Sequence, residues 1–246
     1  MSAPAPSKDV VAELTPTGVL RAAINMSNFL LVTSKAANGD PQGVSPDMAA
    51  EIARRLGVTL KLIPFKSPGE LGDQAENNVW DIGNIGAEPQ RAKTIFFTAA
   101  YAEIESTYLV PAGSPIKAIA DVDKAGIRIS VTGRSAYGLW LENNIKQATL
   151  MRTDSLDSSF DQFVAKKLEA LAGLRPRLTE DVKKLPGARI LDGQFSAVQQ
   201  AVGTPKKNMK AAAWLAAVVE ECKASGFVGK AIEKHKAFGL SVAPKA

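Results

Sequence analysis

Cysteine and histidine, which carry much of enzyme chemistry, are almost missing from this chain of 246 residues, which contains one of each. The lone Cys222 has no partner for an internal disulfide. It shares a predicted helical face with Trp214 and Val218, which indicates a buried hydrophobe. The lone His235 stands between two lysines, as on a solvated helix face. Serine–histidine, cysteine–histidine and zinc mechanisms depend on histidine and cysteine side chains, and neither of these two residues is expected to supply one. No metal site or cofactor is therefore predicted.

Long apolar runs and clusters of one charge are missing too. No run approaches the roughly 18 to 20 residues that span a bilayer. The net charge of +5 is spread among acidic residues, without the basic patch of a nucleic-acid-binding protein. The opening residues MSAPAPSK lack the basic and apolar regions of a secretory signal. We therefore expect either a mature exported form, located in the periplasm, or a cytoplasmic protein if Met1 is the native start.

The remaining composition is that of an ordinary folded protein. Hydrophobic residues make up 46% and charged residues 22% of the chain, close to globular averages. The chain is therefore expected to fold throughout, apart from its ends. Its length suits one large domain or two small ones.

Strand and helix signals alternate in the first half of the chain. A short apolar run over residues 19–25 predicts a strand. A serine–proline pair followed by apolar residues on one face predicts a helix over 46–56. A strand over 58–63, a helix beginning at Pro68 and a strand over 81–86 follow. This βαβαβ order predicts an α/β fold with a mainly parallel sheet and helices on its faces.

A second series of elements begins after the loop PAGSPI. Its predicted strands and helices cover, in chain order, residues 126–131, 136–145, 149–152, 157–167, 169–173 and 189–191. A strand-like segment after Gln194 and two amphipathic helices, over 208–224 and 228–236, complete the chain. The series predicts a second α/β unit.

The stretch WDIGNIGAEPQRAKTIFFTAAY, from Trp80 to Tyr101, holds the most informative side chain. Arg91 follows a short apolar strand and precedes an alternating run. A guanidinium held on a rigid element presents five donors in a planar fork, which suits it to bind a carboxylate through two hydrogen bonds. Arg91 therefore points to a small anionic ligand.

Five segments then appear in an order that is specific when taken together: LRAAIN, GVSPDMAAEIARRLGV, WDIG with EPQR and FFTAAY, ISVTGRSAY, and KKNMKAAAWLAAVVEECKASGFVGKAIEKH. In these the chain resembles the type II periplasmic solute-binding proteins of ABC importers, specifically those that bind polar amino acids. The resemblance implies two α/β lobes, joined by crossings near residues 105–110 and 194–202. Lobe one would cover 1–107 and, after lobe two over 108–194, resume over 195–246.

The resemblance also implies where a ligand binds and which partner protein the chain interacts with. The ligand would lie in the cleft between the lobes and be enclosed by hinge closure. An ABC transporter permease is the implied partner, and a monomer is the family expectation. In lobe one, binding residues would include Asn25 and the aromatic Phe29 after the first strand, with Asn84 and Gly86 on the strand before Arg91. Phe29 in a core is the alternative interpretation.

In lobe two the family's glycine-hydroxyl turn matches Gly133, Arg134 and Ser135 after Thr132. This turn opens a large helix, where free amides favour an anion. The resemblance implies that these amides face a carboxylate oxygen while Arg91 takes the same group.

Two departures from the family pattern concern the ligand. Glu88 stands where threonine is usual, and it either holds Arg91, faces a cationic part of the ligand, or forms an exposed ion pair worth little. Leu174, followed by Arg175, stands in place of the amine-binding aspartate, and leucine cannot accept a hydrogen bond from an ammonium group. A carboxylate without the amine, or with a second anionic group reaching Arg175 or Arg134, fits better. If Arg175 instead points into solvent, the pocket is more apolar.

The leading hypothesis is a non-enzymatic solute-binding protein that presents a small carboxylate-containing solute, amino-acid-like or an organic acid, to an ABC importer. The alternative is a lyase resembling cyclohexadienyl dehydratase, with Glu88, Glu105 or Glu169 as a general acid of raised pKa. A cytoplasmic ligand-binding module without a transporter is the third possibility.

Overall fold

The computed structural model describes residues 3–246; Met1 and Ser2, on which the expectations about the native start and the beginning of lobe one depend, lie outside the described residues. The chain divides into two units. The first comprises residues up to Glu103 together with Gln199–Ala246, and the second comprises Ile104–Val198. Sequence reasoning placed these transitions at residues 107/108 and 194/195.

Helices and strands alternate through most of residues 3–246. The α-helices are α1 (Lys8–Leu14), α2 (Val44–Leu56), α3 (Pro68–Asp73), α4 (Ala136–Asn144), α5 (Leu156–Ala165), α6 (Arg175–Asp181), α7 (Met209–Ala224) and α8 (Phe227–Lys234). The strands are β1 (Leu20–Asn25), β2 (Ser34–Lys35), β3 (Pro41–Gln42), β4 (Leu60–Phe65), β5 (Ile82–Gly86), β6 (Ile95–Val110), β7 (Arg128–Thr132), β8 (Thr149–Thr153), β9 (Ala170–Leu174), β10 (Arg189–Ile190), β11 (Ser196–Pro205) and β12 (Ser241–Val242). Short 3₁₀ helices cover Arg91–Lys93, Ile119–Asp121 and Val182–Lys184.

The sheet of the first unit has the strand order β4-β1-β5-β11-β6. β1 is parallel to β4 and to β5, and β11 is antiparallel to β5. The parallel pairs end together, with Asn25 opposite Phe65 in β4 and Gly86 at the end of β5. The apolar core includes Ala23, Leu71 and Trp80, all buried. This sheet therefore presents the carboxyl ends of β1 and β5 at one edge, where α/β folds bind ligands.

The sheet of the second unit is built around β7, which is parallel to β8 on one side and to β9 on the other. The later part of β6 pairs antiparallel with β9, placing Ser106 opposite Leu174. One apolar cluster of this unit contains Leu109, Phe163, Leu168, Leu171 and Leu178. Thr132 and Leu174 accordingly end neighbouring parallel strands.

The predicted α/β class with a mainly parallel sheet is confirmed in both units. Element ends differ from the predicted ones by a few residues at most for the matched elements. The strand predicted over 58–63 is β4, which includes Pro64. Proline is tolerated there because β4 stands at the edge of its sheet, where its missing N–H costs no ladder bond. Sequence reasoning missed α1, α6, the β2–β3 pair and β12.

Each unit carries the same ion-pair arrangement at the amino ends of its central strands, which we call the amino-end clasps. In the first unit the Asp81 carboxylate accepts from Arg21 N, Nε and Nη2 at 2.9, 3.0 and 2.7 Å. In the second unit the Glu169 carboxylate accepts from Arg128 N, Nε and Nη2 at 2.8, 2.9 and 2.8 Å. Each clasp joins two parallel strands at the edge opposite to their carboxyl ends.

Candidate ligand-binding site

Arg91 lies where the sequence predicts a rigid anchor, in the 3₁₀ helix that follows β5. The residue is only 8% exposed, and its Nη1 donates to the Gly86 carbonyl at 2.6 Å. The Cγ, Cδ and Nε atoms pass 3.8 to 3.9 Å from where a Cβ on Gly72 would lie, so the arginine side chain runs alongside α3 at van der Waals distance. The guanidinium is thus held at the carboxyl end of β5, in a setting of low solvent exposure that strengthens its attraction for an anion.

Glu88 is half-buried beside this arginine, so the interpretation as an exposed ion pair was wrong. Its backbone carbonyl accepts from Ala92 N at 2.9 Å, which places Glu88 and Arg91 in one helical turn. Burial raises the pKa of the Glu88 carboxyl to about 7, while the charge of Arg91 acts in the opposite direction. Glu88 can therefore gain or lose a proton near neutral pH.

The loop after β1 is shaped by two asparagine side chains. Asn25 Oδ1 accepts from Ser27 N and Oγ at 3.1 and 2.8 Å, and Asn28 Oδ1 accepts from Leu30 N at 3.2 Å. Both asparagines are buried. Between these turns Phe29 is 38% exposed, so the alternative interpretation of Phe29 as a core residue was wrong. The asparagines order the loop that carries an exposed aromatic ring.

Asn84 and Gly86 lie on β5 and are both buried. Asn84 Nδ2 donates to the Ser45 carbonyl at 2.8 Å, so this side chain anchors the first turn of α2. Gly86 contributes its carbonyl to Arg91. In the structure both residues position neighbouring groups, and their direct contact with a ligand stays a prediction.

The turn after β7 differs in part from the prediction. Gly133 N donates to the Thr153 carbonyl at 2.8 Å, so this amide is already used and does not face a ligand carboxylate as predicted. Arg134 is exposed and adopts a positive φ of 57°, which is uncommon for a residue other than glycine, asparagine or aspartate. The pairing of β7 with β8 explains the use of the Gly133 amide, because it extends that ladder by one bond.

Ser135 begins α4 as its N-cap. Its Oγ accepts from Gly138 N at 3.0 Å and donates to the Thr132 carbonyl at 2.7 Å. A Cβ on Gly138 would lie 2.5 Å from that same carbonyl oxygen, so only glycine fits this close approach. The hydroxyl predicted to bind the ligand therefore caps the helix, and its role toward a ligand remains a prediction.

Leu174 and Arg175 stand at the end of β9 and the beginning of α6. Leu174 is buried and supplies no side-chain cap to the helix. Arg175 Nε lies 2.6 Å from Glu105 Oε2, and Nη2 donates to the Gly193 carbonyl. Arg175 is thus bound within its own unit and does not simply extend into solvent. Ligand contact by Leu174 and Arg175 stays a prediction.

Two of the three glutamates considered as general acids are committed elsewhere. Glu105 pairs with Arg175, and Glu169 belongs to the second amino-end clasp. Hydrogen bonding to Arg128 lowers the pKa of Glu169, which favours the ionised form, opposite to what a general acid needs. Glu169 also precedes β9, at the strand end away from Leu174. Glu88, whose carboxyl pKa is raised, therefore remains as the candidate general acid.

Sequence reasoning missed an aromatic group in the second unit. Phe195 stacks at a centroid distance of 4.6 Å on Tyr108 from β6 and at 5.4 Å on Trp140 from α4. Trp140 lies five residues after Ser135, in the motif GRSAYGLW, which was the available signal. The three rings come from separate segments, so their meeting could not be predicted from local pattern.

Cys222 and His235, the cysteine and histidine of the chain, both have mostly buried side chains. Burial raises the pKa of the Cys222 thiol to about 11, which confirms the predicted buried hydrophobe. His235 is not on a solvated face as predicted, since its Nε2 lies 2.9 Å from Asp47 Oδ2 and its side chain is mostly buried. Within residues 3–246 no group of three or more His, Cys, Asp or Glu side chains could hold a metal ion. No helix in that range is long and apolar enough to cross a membrane.

Comparisons with known proteins identify relatives across nearly the whole chain. The model of the bacterial extracellular solute-binding proteins, family 3, matches residues 21–238. Among solved structures, the solute receptor for L-cysteine of Neisseria gonorrhoeae is 20% identical with a TM-score of 0.73, covering 92% of each chain. An amino acid ABC transporter substrate-binding protein of Streptococcus pneumoniae bound to L-arginine is 20% identical with a TM-score of 0.72, covering 91% of this chain and 97% of that one.

A third solved structure is an ancestral amino-acid-binding protein described as a precursor of cyclohexadienyl dehydratase. It is 20% identical with a TM-score of 0.71, covering 91% of this chain and 98% of that one. No curated protein matches this sequence. At these identities the solved structures show a shared fold, that of the type II periplasmic binding proteins.

Proposed function

Since the chain belongs to family 3 of the bacterial extracellular solute-binding proteins, we propose that it captures a small carboxylate-containing solute and presents it to an ABC importer. The proposal that the ligand contains a carboxylate depends on a single observation, the setting of Arg91. It is a nearly buried guanidinium held by the Gly86 carbonyl at the carboxyl end of β5. A guanidinium of low solvent exposure attracts an anion more strongly than one in water, and a ligand carboxylate can accept two hydrogen bonds from it.

The second unit narrows the class of ligand that we propose. Leu174 ends β9 with an apolar, buried side chain where an amine-binding aspartate would be expected from the family resemblance. No acceptor is offered by that side chain to an ammonium group, and an unpaired buried charge would be costly. The ligand we propose is therefore an organic acid, or an amino-acid-like acid whose cationic group is not bound at Leu174.

Thermal stabilisation by ligands tests this proposal. The protein should be unfolded and refolded to remove any carried-over ligand, then screened against organic acids and amino acids by differential scanning fluorimetry. A true ligand at a hundredfold excess over Kd should add about 2.7 kcal/mol to the free energy of unfolding. Arg91→Ala should abolish this stabilisation, because the substitution removes the guanidinium that we propose binds the ligand carboxylate at the end of β5.

A matched control is Arg54→Ala. Arg54 lies in the last turn of α2, exposed, and its guanidinium pairs with Glu51. Its replacement should leave ligand stabilisation unchanged, because an exposed pair of this kind contributes little. Stabilisation that survives in Arg91→Ala, or that is lost equally in Arg54→Ala, would contradict the role given to Arg91.

Proteins of this family are typically periplasmic, and we propose the same compartment here. The alternative of a cytoplasmic module without a transporter predicts that the protein stays with the cytosolic fraction and that no permease gene neighbours its own. Fractionation of cells that express the complete natural gene separates the two.

One observation favours a second candidate, a lyase acting on a carboxylate substrate. Glu88 is half-buried beside Arg91, and a carboxyl with a pKa of about 7 is suited to act as a general acid at neutral pH. Turnover of prephenate or arogenate that is lost in Glu88→Gln would support this candidate. Binding of either compound without turnover would count against it.

A further inference from the structure

We propose that Glu88 makes the Arg91 site proton-coupled, so that it takes up a carboxylate without a neighbouring ammonium group together with one proton. The inference rests on the proposed function, since it assumes that Arg91 holds the carboxylate. It adds the role of Glu88 and the charge class of the ligand.

The geometry puts both groups at one place. Glu88 and Arg91 are three residues apart in a single turn after β5, closed by Ala92 N to the Glu88 carbonyl at 2.9 Å and by Thr94 N to the Arg91 carbonyl at 3.1 Å. Arg91 is nearly buried and Glu88 half-buried. Neither charge is fully solvated, so the protonation of Glu88 is sensitive to Arg91 and to an anion that binds beside them.

Other charged residues at this turn are Lys93, which is exposed within it, and Lys206, whose backbone N donates to the Thr94 carbonyl at 3.0 Å. β11 pairs with the end of β5 through Gln200, which is uncharged. α3, against which the Arg91 side chain packs, carries Glu70 and Asp73. Among the described residues, Arg91 is the charged side chain that shifts the pKa of Glu88, and it does so less than burial does.

Charge balance then favours uptake of a proton. With Glu88 ionised, its charge and that of Arg91 cancel, and an incoming carboxylate would leave two anions sharing one guanidinium. Two carboxylates at one site are not both ionised without cost, so one of them takes a proton. Glu88 is the one that accepts it, because burial already brings its pKa to about 7 and the ligand's charge acts in the same direction. The proton comes from solvent and ends on the Glu88 carboxyl, and no covalent bond forms or breaks.

A ligand with an ammonium group beside the carboxylate would act in the opposite direction. The ammonium would favour ionised Glu88, and binding near pH 7 would release a proton. The sign of the proton exchange therefore identifies the class of ligand that the site accepts.

Matched pairs of probes provide the test: 3-phenylpropionate with L-phenylalanine, glutarate with L-glutamate, and propionate with L-alanine. Binding is measured by isothermal titration calorimetry between pH 6.5 and 8.5, in buffers with different heats of ionisation, which counts the protons exchanged. For the acids we expect uptake approaching one proton at pH 8 and affinity that falls roughly 10- to 25-fold over this range, as linkage to a group of pKa about 7 requires.

Two variants separate Glu88 from other carboxyls. Glu88→Gln is permanently neutral, so it should bind the same acid with no proton uptake and little dependence on pH. Glu70→Gln is the matched control, since Glu70 is exposed on the neighbouring helix and accepts from Lys66 N at 3.1 Å. It should keep the pH dependence of the wild type.

The possible outcomes distinguish this inference from the proposed function. Acid binding with no proton uptake, uptake that persists in Glu88→Gln, or binding of the amino acids in preference to the acids would overturn the inference alone. Failure of every probe to bind, or binding that survives in Arg91→Ala, would remove the proposed function and the inference with it.

Discussion

Replacing Asp81 with asparagine is expected to destabilise the first unit by about 3 kcal/mol, whereas the equivalent change Glu169→Gln in the second unit should cost only about 1 kcal/mol. The two carboxylates occupy equivalent positions in the amino-end clasps. Each accepts from the backbone N, Nε and Nη2 of one arginine, all within 3.0 Å. Hydrogen-bond geometry is thus nearly constant between them, and solvent exposure is what differs.

The magnitudes follow from that exposure. The side chains of Arg21 and Asp81 are 16% and 3% exposed, while those of Arg128 and Glu169 are 42% and 31% exposed. Removing one partner of a buried pair costs about 3 to 5 kcal/mol, because the other charge is left uncompensated. We take the lower end for Asp81, since Arg21 keeps some solvent and a bond to the Asn78 carbonyl. An exposed pair contributes about 1 kcal/mol or less.

Urea unfolding followed by circular dichroism measures the two costs. At an m-value of about 2 kcal/mol/M, a difference of about 2 kcal/mol separates the midpoints of the variants by about 1 M urea. Because the two units can unfold separately, hydrogen exchange should accompany it, with faster exchange in β1 and β5 for Asp81→Asn and in β7 and β9 for Glu169→Gln. Equal costs, or a larger cost for Glu169→Gln, would refute the reasoning from burial.

Two further predictions concern stability. Glu88→Gln should gain thermal stability relative to the wild type as the pH rises from about 4.5 to 7 and level off above that, because the folded wild type holds the Glu88 proton more tightly than the unfolded chain. A relative loss over this range would mean that attraction to Arg91 outweighs burial. Gly138→Ala should cost about 1 to 3 kcal/mol in chemical unfolding, since its Cβ would lie 2.5 Å from the Thr132 carbonyl oxygen. The control Gly229→Ala in α8, with its nearest atom at 3.8 Å, should instead stabilise by about 0.5 to 1 kcal/mol.

Local pattern was sufficient for most strands and helices, and it failed where an element is short or begins abruptly. α6 was missed because Arg175-Pro176 follows β9 with no intervening loop. Proline at the first turn is compatible with a helix, but on its own it also ends a strand. β2 and β3 have two residues each, too few for any period to be read.

Among the candidate site residues, the sequence pattern predicted the position of Arg91 correctly, because that position depends on the strand just before it. Pattern could not show that the Gly133 amide is taken by Thr153, twenty residues further along the chain. Nor could it show that Glu169 is bound to Arg128, a contact across 41 positions. Hydrogen-bond partners of this kind are set by which strands lie side by side.

The sequence by itself determined the α/β alternation, the family and the arginine at the end of the third predicted strand, since each depends on residues that are close along the chain. Only the tertiary structure decided that Glu88 is half-buried with a pKa of about 7, that Ser135 is used as a helix cap and that Arg175 is held by Glu105 and Gly193. The physical reason is that burial and hydrogen bonding depend on segments brought together by folding. The charge of a side chain can be read from its name, but its protonation and its freedom to meet a ligand depend on those neighbours.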